Sequence, residues 1–285
     1  MGARTLGWMV KNDGGTPPVV EFKNVTFAFD EHVILQDVSF SMELGTMTIL
    51  LGESGVGKSV TLKLILGLLC PDEGVIRVNG QRIDNMREQD LIQVRGEIGM
   101  VFQELALFDS LTVAENVGYR LSEEMRWTPE KVRARVEDVV GFIGLAEFMD
   151  RMPTELSGGQ RRRVAIARAV APKPDLILFD DPTTGLDPII AATVNDEIVK
   201  LRDLEGVTAI FVTQQVRDAF YIATHHAVRR DGGIEIVDTG IEGITGTEFM
   251  MLHQSRIHFR GTAAELQASE DPYLREFLYM TLPPW

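Results

Sequence analysis

The eight residues Gly52-Glu53-Ser54-Gly55-Val56-Gly57-Lys58-Ser59 constrain this chain more than any other stretch of it. They match the pattern G-x-x-x-x-G-K-[S/T], which average residue frequencies produce by chance in roughly one chain of this length in a hundred. A bare glycine-rich turn is the competing reading, and the flanks argue against it. Thr46–Leu51 reads as a short buried strand, and Lys58–Leu69 follows with Leu62, Ile65, Leu66 and Leu69 at helical spacing. A strand that feeds a helix through such a turn aims successive backbone N–H groups, and the positive end of the helix, at one anion. The anion that fits is a polyphosphate. Lys58 would neutralise its terminal oxygens and Ser59 would ligate Mg²⁺, so Gly52 through Val60 is the expected nucleotide-binding stretch.

The rest of the pattern sets the fold class. Residues 1–18 read as a loose leader, with turn chemistry at Asp13-Gly14-Gly15-Thr16-Pro17-Pro18. Val19–Phe29 and Ile34–Met42 alternate as half-buried antiparallel strands do. Leu176–Phe179 and Val207–Val212 are unbroken apolar runs, the mark of strands buried on both faces, and Ile98–Phe102 is a further short one. Between the two long runs Pro188–Leu204 reads as a helix. Thr128-Pro129 opens another, carried on one face by Val132, Val136, Val139 and Ile143. Alternating buried strands and helices predict an α/β core with a parallel sheet and a helical insertion over about 104–170. No internal repeat or low-complexity tract interrupts it.

Composition narrows the function classes. With 28 Lys+Arg against 42 Asp+Glu, the net charge of −14 speaks against holding nucleic acid by phosphate neutralisation. The single cysteine, Cys70, can build neither an internal disulfide nor a thiolate zinc site, and its apolar neighbours suggest core filler. The most apolar stretch, Leu62–Leu69, carries Lys63 and is far short of the roughly 18 residues a membrane helix needs. The N-terminus has no signal-peptide apolar region, and Leu6 stands where a myristoylation motif wants Ser or Thr. The chain is not expected to cross a membrane by itself.

Two further motifs point to a family. Leu176-Ile177-Leu178-Phe179 delivers Asp180 at the end of a buried strand, where a carboxylate can hold Mg²⁺ directly or through water. Shortly before it stands Leu156-Ser157-Gly158-Gly159-Gln160, which by itself reads as a serine N-cap on an amphipathic helix. The sequence Leu156–Gln160 resembles the signature of ABC-type ATPases, and the resemblance runs from about 19 to 278. It implies an α/β P-loop NTPase (RecA-like) core with a mainly parallel sheet, an antiparallel β subdomain and a helical ABC subdomain. The implied domain is 19–278, with core about 19–103 and 171–278, helical subdomain about 104–170 and a tail at 279–285. It also implies ATP and Mg²⁺ as cofactors and a second copy of the subunit. Ser157, Gly158, Gly159 and Gln160 would then meet the γ-phosphate bound to that copy. By the same resemblance Phe29 would stack on adenine, where the plain reading is a core strand residue. Gln103 would sense Mg²⁺ and the attacking water, and Asp187 in Gly185-Leu186-Asp187-Pro188 would link the paired sites.

Two positions depart from the family pattern. Asp181 follows Asp180 where the family has a glutamate that polarises the water, and Gln214 stands in place of a histidine that contacts the γ-phosphate. Asp181 is one methylene shorter, a retreat of roughly 1 Å, and misplacement on that scale can cost about 10²-fold in rate. Gln214 can donate a hydrogen bond but has no titratable proton. His225 and His226 lie too far along to stand in for it if the helix continues. Two readings of turnover follow: a slow ATPase in which Asp181 reaches the water through a small backbone adjustment, or an ATP-dependent dimerisation module without useful hydrolysis.

The stretch Gln103–Val117 and the ending Asp271–Leu278 resemble the ATPases of Mla/Mce-type lipid transport systems, although importers of small solutes such as amino acids share part of the first. The resemblance implies a separate integral membrane permease, a lipid-binding Mce-type partner, no nucleic acid, and a peripheral place on the cytoplasmic face of the inner membrane. A glycine-rich segment at about 228–248 has no counterpart in most relatives. It is expected to be a surface hairpin, with partner docking as the alternative.

Overall fold

Two strand patterns build two sheets. The computed structural model describes residues 17–230, 233–241 and 244–281; most of the expected leader and the end of the expected tail lie outside the described residues. The alternating strands β1 (Val20–Phe29) and β2 (His32–Met42) pair antiparallel, with Phe22 opposite Phe40 and their rings stacked at 4.6 Å. The continuous strand β3 (Met47–Leu51) belongs elsewhere. β4 (Glu73–Val78) and β5 (Gln81–Arg82) complete an antiparallel sheet in the order β2-β1-β4-β5. The second sheet takes β3, β6 (Ile98–Val101), β7 (Leu176–Asp180) and β8 (Ala209–Thr213), all parallel. β9 (His225–Arg230) and β10 (Gly233–Asp238) form a separate hairpin. β11 (Thr247–His253) joins β3 in parallel and β12 (Arg256–Gly261) closes the edge antiparallel, giving β12-β11-β3-β8-β7-β6.

The period-two geometry of a strand explains why the central runs are unbroken. Met47, Ile49 and Leu51 of β3, with Phe179 and Phe211, face one apolar cluster, while Leu50, Leu178, Ile210 and Val212 face the other. The first cluster is covered by helices. They are α3 (Val113–Glu123), α4 (Pro129–Phe142), α5 (Gly158–Val170), α6 (Pro188–Glu205), α7 (Val216–Thr224) and α9 (Pro272–Thr281). The second cluster is covered by the antiparallel sheet together with α1 (Lys58–Ile65) and α2 (Glu88–Gly96). A short α8 (Ala263–Ala268) sits near the β11–β12 edge.

Several expectations are corrected in detail. The helix after the glycine-rich turn stops at Ile65, because Gly67 takes φ +60° and ends it, so Leu69 is not on its face. The chain then leaves the core, and Cys70 is exposed with its thiol 3.1 Å from the Asp84 carbonyl; it is not core filler. The helix α7 stops at Thr224, so His225 and His226 lie on β9. The hairpin begins at His225 and ends at Asp238, earlier than the segment read from the sequence. Its inner strand is anchored to α6: Asp203 accepts the Ala227 amide at 2.8 Å, and Arg202 donates to the His225 carbonyl at 2.6 Å. The terminal helix runs on to Thr281, past the boundary expected at 278.

The sheet also fixes the turn that leaves β3. Gly52 has φ +151°, and a Cβ there would sit 2.7 Å from both the Leu252 carbonyl oxygen of β11 and Val56 Cγ1. Gly52→Ala is therefore expected to lower stability by about 1–3 kcal/mol in urea unfolding and to weaken nucleotide binding. Unchanged stability would mean the turn is free of β11.

Candidate functional site

Strand β3 ends at Leu51 and α1 begins at Lys58, so the residues between wrap the N-terminus of α1. Lys58 is only 6% exposed, and its Nζ donates to the Gly52 and Glu53 carbonyls at 2.8 Å each. Burial lowers its proton affinity, opposed by the charges of Asp181, Asp180 and Glu53. The ammonium is thus folded back onto its own loop, within reach of an anion held there.

One cavity of about 300 Å³ gathers most of the expected nucleotide residues. Ser54, Gly55, Gly57, Lys58, Ser59 and Val60 line one side of it. Phe29, Gln103, Asp181 and Gln214 line the rest. Phe29 ends β1, is 50% exposed and packs edge-on against Phe27 at 4.9 Å, leaving a ring face for a flat ligand. It is not a core residue. Gln103 is exposed just beyond β6. Gly52, Glu53 and Val56 belong to the same turn behind the cavity wall.

Asp180 and Asp181 have different settings. Ser59 Oγ donates to Asp180 Oδ1 at 2.9 Å. Burial raises the Asp180 carboxyl above its ordinary range, the Ser59 bond opposing this and Asp181 adding to it. A hydroxyl and a carboxylate beside a phosphate cradle are hard oxygen donors of the kind Mg²⁺ takes. Among the described residues no group of three His, Cys, Asp or Glu could hold a metal. This donor set therefore fits an ion shared with phosphates and water. Asp181 is 9% exposed with φ +44°, a strained value for a non-glycine residue. Its amide donates to the Val212 carbonyl at 3.0 Å and its Oδ1 accepts the Gln214 amide at 3.2 Å. The backbone N–H of Gln214 thus joins the two positions that depart from the family pattern, through the Asp181 carboxylate.

The remaining expected residues lie outside this cavity. Ser157 caps α5: its side chain accepts the Gln160 amide at 3.3 Å, and Gln160 Oε1 accepts the Ser157 amide at 2.8 Å. Gly159 is buried against α6, where an added Cβ would come 2.3 Å from Ile190 Cγ2, while Gly158 is half-buried. Asp187 caps α6, its Oδ1 accepting the Ile189 and Ile190 amides at 3.1 and 3.0 Å. The signature and Asp187 therefore share one surface, with exposed Ser157 and Asp187, apart from the cavity.

Three residues, Arg162, Arg168 and Tyr273, were given no role by the sequence reading. Arg162 on α5 is 4% exposed and donates to the carbonyls of Phe102 and Gln103 at 3.1 and 2.7 Å, with Nη2 3.4 Å from Thr184 O. Arg168, one and a half turns on, holds Leu105 and Ala106 the same way, at 3.1 and 2.6 Å. The signature helix thus grips the chain around Gln103. Nothing in the run Arg161-Arg162-Arg163 marks which arginine points inward. Tyr273 on α9 stacks on His253 at 3.6 Å and places its hydroxyl 3.4 Å from Glu53. Burial and the Glu53 charge push that phenol up to about 12.

The ABC transporter family profile matches residues 35–184, more than half the chain. The intermembrane phospholipid transport ATP-binding protein MlaF of Escherichia coli K12 is 34% identical over 260 residues, 91% of this chain and 88% of that protein. The sulfate/thiosulfate import ATP-binding protein CysA of Synechococcus elongatus is 39% identical over 223 residues, 78% of this chain and 63% of that protein. The solved dimeric ATP-binding cassette MJ0796, in a post-hydrolysis state bound to ADP and Pi, aligns with TM-score 0.70 and 28% identity over 86% of this chain and 98% of its own. The chain belongs to the ABC transporter family. It is an ATP-binding subunit with the ABC-type ATPase fold.

Two outcomes test this geometry. Asp180 is raised in the folded state, so ionising it opposes folding as pH rises above its unfolded value. Asp180→Asn is expected to stabilise the ligand-free protein by about 0.5–2 kcal/mol while abolishing ATP hydrolysis. Arg162→Gln should lower kcat by about 10- to 100-fold with KM for ATP little changed, since a buried charged hydrogen bond contributes about 1.5–3 kcal/mol. Arg162→Lys should recover part of the rate, whereas a parallel rise in KM would place Arg162 outside this role.

Proposed function

We propose that two copies of this chain bind ATP between them, head to tail, and hydrolyse it to drive lipid movement through a separate integral membrane permease. The observation that carries this is the separation of surfaces: the cavity gathers Phe29, the glycine-rich turn, Gln103, Asp181 and Gln214, while Ser157 and Asp187 face outward elsewhere. A site whose remaining expected donors are exposed outside its cavity is completed by a second copy. The dimeric form of a solved relative supports this pairing.

In this reading Phe29 stacks on adenine, the amides of Gly52–Ser59 cradle the phosphates, and Lys58 swings from its carbonyls onto the terminal oxygens. Ser59 and Asp180, with Gln103 nearby, would hold Mg²⁺, which when bound offsets phosphate charge. Ser157 and the amides of Gly158, Gly159 and Gln160 present a second helix N-terminus to the γ-phosphate of the partner copy. Asp187 stands at the seam between the two sites. Asp181 accepts a hydrogen bond from the attacking water and orients it, and Gln214 donates to the phosphate.

Turnover is slow in this proposal because the Asp181 carboxylate is short and is tied to the Gln214 amide. Asp181 nevertheless lines the cavity, which supports real, if reduced, hydrolysis. Steady-state phosphate release should exceed that of Lys58→Ala, and Asp181→Glu should raise it by about 10- to 100-fold. Release no higher than the Lys58→Ala background would instead favour a dimerisation module that needs another subunit for chemistry.

Support for a lipid cargo comes from the near full-length likeness to MlaF, and from Gln103–Val117 and Asp271–Leu278. No described helix is long and apolar enough to cross a membrane, in keeping with a peripheral place on the cytoplasmic face of the inner membrane. The likeness to CysA favours a second reading, import of a small solute. The native complex, extracted from membranes through a tag on this chain, should carry a permease, bound phospholipid and an Mce-type partner. A solute-binding protein in place of lipid would support the import reading.

A further inference from the structure

A second cavity, of about 410 Å³, opens at the other end of the parallel strands. It is lined near the starts of β7 and β8 by Ile177, Val207 and Thr208, whereas the nucleotide cavity lies beyond the strand ends. Its remaining walls come from α4, the end of α5, the end of α6 and the β9–β10 hairpin. The volume falls within the roughly 300–1,000 Å³ of small-molecule sites.

The lining is amphipathic. Val139, Phe142, Leu201, Val207 and Ile234 form an apolar floor. Around it stand Lys173 and Arg229, both exposed, and the half-buried Glu205, which feels the charge of both cations. The other two charged residues of the lining are occupied: Arg135 donates to the Val170 and Ala171 carbonyls and pairs with Asp138 at 2.7 Å. Glu205 is half-buried, and burial raises its carboxyl toward the neutral form, with Arg135 and Arg229 opposing. Two cations, Lys173 and Arg229, thus stand against one carboxylate, Glu205, around the apolar floor. An apolar hollow with an excess of cations at its rim suits a ligand that is apolar at one end and anionic at the other.

We propose that this cavity binds one molecule of an amphipathic organic anion, with its apolar tail on Phe142, Val139 and Ile234 and its anionic head between Lys173 and Arg229. Carboxylate and phosphate heads share the chemistry, and the molecule enters as a free monomer, because a hollow walled by α4, α6 and a hairpin receives a single tail. The hairpin carries Arg229 and Ile234, which assigns a use to a segment with no motif of its own. An occupant touches α4 and the end of α5, which carries the signature at its other end, and also α6 and β7 of the sheet layer.

The test is isothermal titration of the full-length protein with decanoate and decyl phosphate below their aggregation concentrations, with decyltrimethylammonium as the cationic comparison. Phosphatidylcholine–phosphatidylglycerol vesicles form the membrane arm. One saturable site per chain is expected for both anions, with at least tenfold weaker binding of the cation. Arg229 is exposed and Ile234 is 39% exposed, so Arg229→Glu and Ile234→Glu are expected to fold, with unchanged ATP affinity as the check. Each should weaken decanoate binding at least tenfold. Lys173→Gln, at an exposed side chain, is the further variant if either fails to fold. No saturable binding, equal binding of the cation, binding indifferent to these substitutions, or binding to vesicles alone would each overturn the proposal.

Discussion

The register of three short parallel strands is the constraint on which the rest depends. Leu51 of β3 lies beside Thr213 of β8, and Val212 beside Asp180 of β7. Parallel strands in register end at one edge, so the loops that leave them meet there. The glycine-rich turn, Asp181 and Gln214 are neighbours for that reason, although more than 150 positions separate Lys58 from Gln214. The same pairing supplies Val212 as the acceptor that holds the Asp181 amide, and the Gln214 amide as the donor to its carboxylate. A slip of one residue would turn every side chain of a strand to the wrong face, and both apolar clusters forbid it.

Onto this edge the helical region adds control from the side. Arg162 and Arg168 reach from the signature helix to the carbonyls between Phe102 and Ala106. Asn116 braces the next turn through Phe108, Leu111 and Thr112. The helix α5 is thus tied to the backbone at Gln103 through hydrogen bonds, although Ser157 does not line the cavity. The close seat of Gly159 on Ile190 couples α5 to α6, whose cap is Asp187.

Much of this was legible in the sequence because the physics is local. A glycine-rich turn between strand and helix, a serine cap and unbroken apolar runs declare themselves within a few residues. What escaped depends on direction or on distant neighbours. Three arginines follow the signature, and only packing of α5 decides that Arg162 turns inward. The end of α1 turned on Gly67, so Cys70 left the core that its apolar neighbours suggested. Tyr273 meets Glu53 because α9 returns across the sheet edge, which no spacing predicts. Phe29 was ambiguous between core and stacking until its exposed ring was placed on the cavity rim.

The sequence alone determined the class of fold and the glycine-rich turn between strand and helix, since these rest on backbone geometry and residue type at short range. It also determined the two departures, Asp181 and Gln214. Only the tertiary structure decided that those two are joined through the backbone N–H of Gln214, that the signature stands outside the cavity, and that the hairpin closes a second hollow. These follow from strand register and helix packing, which join residues far apart in the chain through contacts that no local pattern encodes.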